Sequence, residues 1–194
     1  MKKLLMLLIA GIIFSSCTEK LPIVDDLGNA QFKLVDQKSS STIFPEFVKG
    51  KLVVVNYIFT NCPDICPLST NNMRLIQEGI KKEKIEGVEF VSISFDPLHD
   101  SPEVLRKFAG IRNLNLNNWT FLTGEKPEID SLMQKVGIVA VVGDSSVFKD
   151  GRKIYYYTHT DRIQLMDEKS KIRKNYKGSS INIDEIVGDI KKIM

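Results

Sequence analysis

The sequence predicts an α/β fold: a mixed central sheet with flanking helices and a small hairpin insertion. Three observations carry this. Apolar β-forming runs alternate along the chain with segments of helical periodicity, an order that lays parallel strands side by side with helices on both faces. Leu52 to Phe59 is almost continuously apolar, as in a strand buried on both sides. Near the C-terminus two short strands flank a turn, which adds antiparallel strands to the parallel set.

The N-terminus comes first and lies outside that pattern. Lys2 and Lys3 precede Leu4 to Phe14, an unbroken small-and-apolar run. Its length suits the core of an export signal and falls short of the roughly 20 residues that span a bilayer. Ser15-Ser16-Cys17 follows. Small residues before a cysteine resemble a bacterial lipobox, in which the signal is cut before the cysteine and the new N-terminal Cys17 is acylated. Phe14 stands where an aliphatic residue is more usual, and an ordinary secretory signal or a short N-terminal anchor is the plainer alternative. The expected organisation is a signal peptide over 1–16, a lipid-anchored tether over 17–30 that carries Pro22 and Gly28, and one domain over 31–194. Each reading puts the domain outside the cytoplasm, where thiol pairs can be oxidised, and the lipobox reading anchors it in the bacterial cell envelope. The net charge is +3 and Lys2 and Lys3 supply two of those charges, so the domain is near neutral and nothing calls for a nucleic-acid partner.

Within the domain, Phe32 to Asp36 alternates and reads as a short strand, followed by a polar, Ser-rich loop over Gln37 to Thr42. Gly50-Lys51 turns into the central strand Leu52 to Phe59. After Pro67 the residues Met73, Ile76 and Ile80 share one helical face, and Lys81 to Lys84 close the segment. Val88 to Phe95 is the next strand, ending at Asp96-Pro97. Ser101-Pro102-Glu103 starts a helix, with Ser as cap and Pro at the first position. Trp119 to Leu122 is a third strand, closed by Thr123-Gly124. Pro127 opens a helix in which Ile129, Leu132, Met133 and Val136 keep one face, and Gly137 ends it. Ile138 to Val142 reads as a strand, and Gly143-Asp144 and Asp150-Gly151 mark the turns of the hairpin insertion. Arg162 to Met166 and Ile172 to Tyr176 pair around Asp167 to Ser170. Asn182 and Glu185 suit a capping box for the last helix, whose stripe is Ile183, Ile186, Val187, Ile190 and Ile193.

The central strand runs into Cys62-Pro63-Asp64-Ile65-Cys66-Pro67. Two thiols therefore sit on a strand-to-helix turn, the thioredoxin-like arrangement. Pro67 suits the first helical position and makes Cys66 the expected N-cap, where unsatisfied N–H groups and the helix dipole favour the thiolate. A disulfide across three intervening residues would close a very small loop and gain little chain entropy, so the pair reads as functional. Ligands gather at the carboxyl ends of parallel strands. His159, expected at the start of the strand containing Arg162 to Met166, can be brought to that end. Two thiolates and an imidazole form a soft set that suits copper, whereas a closed zinc site wants four nitrogen or sulfur ligands. A surface histidine and a structural cysteine pair are the plain alternatives. The other histidine, His99, follows a different strand, and nothing requires it.

Phe59-Thr60-Asn61-Cys62-Pro63-Asp64-Ile65-Cys66-Pro67 resembles the signature of the Sco/SenC family of copper-binding assembly proteins. Asp96-Pro97-Leu98-His99-Asp100-Ser101-Pro102, Trp119 to Gly124, and a single histidine on the late hairpin add to the resemblance. It implies a thioredoxin-like fold, membrane attachment and copper held by Cys62, Cys66 and His159. It also implies a role in building the copper centre of respiratory cytochrome c oxidase, with that enzyme's copper-containing subunit as partner and a copper donor or thiol reductant upstream. The family usually has an acidic residue just before the ligand histidine; here that position is Thr158. Asp96 and Asp161 are the candidates to orient the imidazole in its place.

The competing function is a thiol–disulfide oxidoreductase, or a redox or copper homeostasis protein, acting through the same two thiols. A thioredoxin-type reductase places a cis-proline opposite its dithiol. The last proline here is Pro127, so the late hairpin has none. That and the three-residue spacing favour metal binding over general disulfide reduction. A peroxidase relative of the same fold would give His159 no role.

Overall fold

The computed structural model describes residues 21–62, 65–148 and 153–194. The expected signal peptide and Cys17 lie outside the described residues. An eight-stranded sheet forms the centre, in the order β1-β10-β9-β4-β5-β6-β2-β3. Its strands are β1 (Asp25–Asp26), β2 (Phe32–Asp36), β3 (Ser41–Phe44), β4 (Leu52–Ile58), β5 (Val88–Ser94), β6 (Trp119–Gly124), β9 (Ile163–Met166) and β10 (Lys171–Tyr176). Four helices flank it: α1 (Ile65–Lys82), α2 (Pro102–Ile111), α3 (Lys126–Lys135) and α4 (Ile183–Ile193). A separate two-stranded ribbon pairs β7 (Ala140–Val147) with β8 (Lys153–His159), the expected hairpin insertion.

The β4 strand is buried along its whole length, as its apolar run predicts. It lies parallel to β5 and antiparallel to β9. Asn56 is the polar exception within it. Trp119 Nε1 donates to Ser92 Oγ at 2.9 Å, Ser92 Oγ donates to Asn56 Oδ1 at 2.6 Å, and Asn56 Nδ2 donates to Ser69 Oγ at 3.2 Å. Each of these buried groups thus has a partner, and the chain of hydrogen bonds stitches β6, β5, β4 and α1 together. The α2 and α4 starts are as read: Ser101 Oγ accepts from Val104 N–H at 3.3 Å, and Asn182 Oδ1 accepts from Glu185 N–H at 3.2 Å. Gly79 lets α1 and α4 close up, since a Cβ there would stand 3.1 Å from Ile183 Cγ2.

The structure corrects three expectations. The sheet is less parallel than the β/α alternation suggests: only β4 with β5 and β5 with β6 run parallel, and every other pairing is antiparallel. The end of the Ser-rich loop is β3, which pairs with β2 and buries Phe44. The second half of the expected tether belongs to the fold, because Asp25 and Asp26 pair with β10 and Leu27 is fully buried. The β1–β10 and β2–β6 pairings are long-range, which no local pattern records.

Candidate metal centre

Cys62 stands just beyond the carboxyl end of β4, on a turn in which its N–H donates to Phe59 C=O at 3.3 Å. Helix α1 begins at Ile65, one residue before Cys66, so Cys66 lies inside the first turn and is not the N-cap. The N-terminal N–H groups of the helix have no intrahelical acceptor, and that of Cys66 points at Cys62 Sγ, 3.4 Å away. The N–H of Phe59 donates in turn to Cys66 Sγ at 3.5 Å. One stretch of backbone therefore holds both sulfurs.

His159 closes β8 on the ribbon; it does not open β9, as the sequence suggested. From there its Nε2 comes within 3.8 Å of Cys66 Sγ. One ligand atom from each of Cys62, Cys66 and His159 lies within 4.8 Å of the others, the only such His/Cys/carboxylate group among the described residues. His159 Nδ1 is 3.2 Å from Thr160 C=O. A proton on Nδ1 satisfies that carbonyl and leaves the Nε2 lone pair aimed at the sulfurs.

Both sulfurs are buried and the imidazole is half-buried. Phe95 and Phe59 flank the imidazole with ring centres 5.0 and 6.2 Å away, and Tyr157 packs on both phenylalanines. A cavity of about 330 Å³ opens beside the cluster, lined by Phe59, Cys62, Ile65, Tyr157 and His159 among others. This largely aromatic wall limits the access of bulk water to the ligand atoms.

The charge balance differs from the expectation for Cys66. The neighbouring Cys62 sulfur, and then burial, push the Cys66 thiol well above its usual range despite the Phe59 N–H. The helix-dipole argument treats one thiol alone; two sulfurs this close disfavour a second negative charge unless a cation joins them. Burial alone would lower the His159 imidazolium, but Cys62 and the Thr160 carbonyl outweigh it and raise it.

The two expected orienting carboxylates do different work. Asp96 is buried and accepts from Tyr155 OH at 2.5 Å and Tyr157 OH at 3.3 Å. It therefore grips the strand that carries His159, two and four residues before it. Asp161 Oδ2 accepts from Ser179 N–H at 3.1 Å and Ser179 Oγ at 2.6 Å, which braces the loop before α4. The contact on the ring itself comes from the Thr160 carbonyl, and Thr158 is exposed. His99 is exposed on the 96–100 turn and stands outside the cluster. Tyr155, Tyr157 and Phe95 went unread as site residues. For the two tyrosines the signal is the alternation Tyr155-Tyr156-Tyr157, which puts the outer two on one face of a strand.

A thioredoxin-like sheet with a dithiol at its central turn and an imidazole delivered to it defines a thiol-based metal or redox domain. The chain belongs to the SCO1/SenC family, whose profile matches residues 24–194. A crystal structure of a SCO1/SenC family lipoprotein from Bacillus anthracis superposes with a TM-score of 0.72 at 29% identity, covering 90% of this chain and 98% of that one. The structure of BsSco, described as having a disulfide switch and as a member of the Sco family of cytochrome c oxidase assembly proteins, matches with the same figures: 0.72, 29%, 90% and 98%. Bradyrhizobium japonicum ScoI, solved with copper bound, shares the fold at a TM-score of 0.70 and 24% identity, over 84% of this chain and 98% of its own.

Proposed function

We propose that this domain binds one copper ion through Cys62, Cys66 and His159 and delivers it to, or prepares, the copper site of respiratory cytochrome c oxidase. The observation that carries the reading is the convergence of the three ligand atoms within 4.8 Å. The donor set fits copper. Two thiolates satisfy Cu(I), and an added imidazole makes a set that also holds Cu(II). Binding requires deprotonated sulfur, and the cation supplies the positive charge that two crowded thiolates lack. The helix N–H at Cys62 and the Phe59 N–H at Cys66 stabilise the sulfurs as anions. The Thr160 carbonyl keeps Nε2 facing them. Copper is cargo here: a partner's ligands replace these one at a time, so no bare ion is released.

The domain works from the outer face of a membrane, held by a lipid on Cys17 after removal of residues 1–16. The basic start, apolar run and Ser15-Ser16-Cys17 support this. A copper-containing subunit of the oxidase is the acceptor, and a copper donor or thiol reductant acts upstream. The test is transfer. Copper-loaded protein is mixed with the metal-free copper domain of the oxidase, and the acceptor's spectrum is followed. Transfer by wild type and none by Cys62→Ser or Cys66→Ser is the expected result. No copper uptake by the reduced domain would end the reading.

The nearness of the two sulfurs supports a second reading, thiol–disulfide exchange with the acceptor's cysteines. Insulin reduction that survives His159→Ala, without copper transfer, would favour it.

A further inference from the structure

Asp100 is a fully buried carboxylate. Its Oδ1 accepts from Thr60 Oγ1 at 2.5 Å, and its Oδ2 accepts from Thr60 N–H at 3.0 Å and from Ser94 Oγ at 2.6 Å. Its place just before α2 would suit helix capping, but Ser101 does that. The Asp100 oxygens turn inward, to the carboxyl ends of β4 and β5. Burying a carboxylate against neutral donors alone is costly, and burial does push its pKa up. A merely structural link between two loops could be made with a neutral side chain.

What the carboxylate holds is the stem of the cysteine turn. Thr60 follows Phe59, whose N–H donates to Cys66 Sγ and whose C=O accepts from Cys62 N–H. Two residues after Thr60 comes Cys62. Fixing Thr60 at both its N–H and its hydroxyl leaves that backbone little freedom to rotate. The same five-residue turn, 96–100, begins with Asp96, which grips the β8 tyrosines before His159. Its own backbone is tied, with Asp100 N–H donating to Asp96 C=O at 2.9 Å. One rigid turn thus touches both the thiol side and the imidazole side of the site.

We propose that Asp100 is a positioning residue for the metal centre: through Thr60 it sets where the Cys62 turn stands, and hence the separation of the two sulfurs. The inference rests on the copper-site reading and deepens it. Groups that hold ligands in place from behind are worth about 10- to 100-fold in metal affinity, because small displacements of a donor atom are felt directly.

Thr60→Val and Thr60→Ser test this: Val keeps the branched shape and loses the hydroxyl, Ser keeps the hydroxyl, and neither alters a ligand or the carboxylate itself. Asp100→Asn is the direct variant. In the metal-free arm each protein is equilibrated with glutathione and its disulfide. There the two protein thiols lose two electrons and two protons as one glutathione disulfide becomes two glutathiones. In the copper arm the Cu(II)–thiolate absorption and affinity are measured. Thr60→Ser should match wild type in both arms. Thr60→Val should shift the disulfide equilibrium by about tenfold, the scale of one hydrogen bond. It should also move the absorption band and weaken Cu(II) by about tenfold. Asp100→Asn should do the same or more; if it does not fold, the Thr60 pair decides. A lower unfolding midpoint in Thr60→Val with an unchanged disulfide constant and band would overturn the proposal. Should wild type itself take up no copper, the function falls while the glutathione arm still tests the positioning.

Discussion

The imidazole reaches the sulfurs from a different sheet, so the three donors are not equivalent. Cys62 and Cys66 are bound to one backbone segment, and His159 arrives on β8. Replacing His159 with Ala should lower Cu(II) affinity by at least about tenfold and Cu(I) affinity far less, because two thiolates suffice for Cu(I). Competition titrations with a chelator for each valence measure this, and equal losses for the two would remove His159 from the site. At this scale much was legible. The thiols announce themselves by spacing, and His159 by being the one late histidine, although it closes β8 of the ribbon and does not open the hairpin that follows. The direction of the Cys66 shift was not, because it depends on a second sulfur whose distance only the fold sets. Nor were the Asp96 tyrosines or Thr60–Asp100, which join residues 40 or more positions apart.

Helix α4 docks on α1 and bears a charged cluster at its inner edge. Burial alone would raise Asp189, but Lys174 at 2.6 Å, Lys192 at 2.8 Å and Tyr176 OH at 3.0 Å together hold it below the usual carboxylate range. A carboxyl depressed in the folded state contributes stability above its unfolded value, near 4, and loses it as pH falls through the folded value. Asp189→Asn should therefore cost about 2 kcal/mol at pH 7, and the gap from wild type should close below pH ~4. Urea midpoints over that range would show it; a gap independent of pH would mean that the charge is irrelevant. The elements themselves were readable wherever a cap or a stripe is local, as at Ser101 and Asn182. Helix α1 starts two residues before the expected Pro67, and β3 has little local signal because its four residues bury only Phe44.

For the molecule as a whole, alternating strands and helices revealed the three parallel strands but could not reveal which edges the N-terminal strands would take. That is why residues 21–30 read as tether and yet contribute β1 and Leu27. A chain starting at Gln31 should be less stable than one starting at Leu21, and Leu27→Ala alone should cost about 3 kcal/mol; equal urea midpoints would refute this. Oxidation should act on the entire domain as a load switch. A Cys62–Cys66 disulfide consumes both sulfurs, so the oxidised protein should retain no copper in equilibrium dialysis, and copper should shield both thiols from alkylation. Copper retained by the oxidised form would contradict the assignment. The ribbon adds a consequence of its own. Among the described residues neither β7 nor β8 pairs with the eight-stranded sheet, so swinging the ribbon away breaks none of that sheet's ladders. In the proposed copper form, His159 would leave while both thiolates keep their hold, making room for an incoming ligand. How long the cargo resides, as distinct from how tightly it binds, would then depend on what holds the ribbon down, the Asp96 bonds to Tyr155 and Tyr157, and grip and dwell time could be tuned apart.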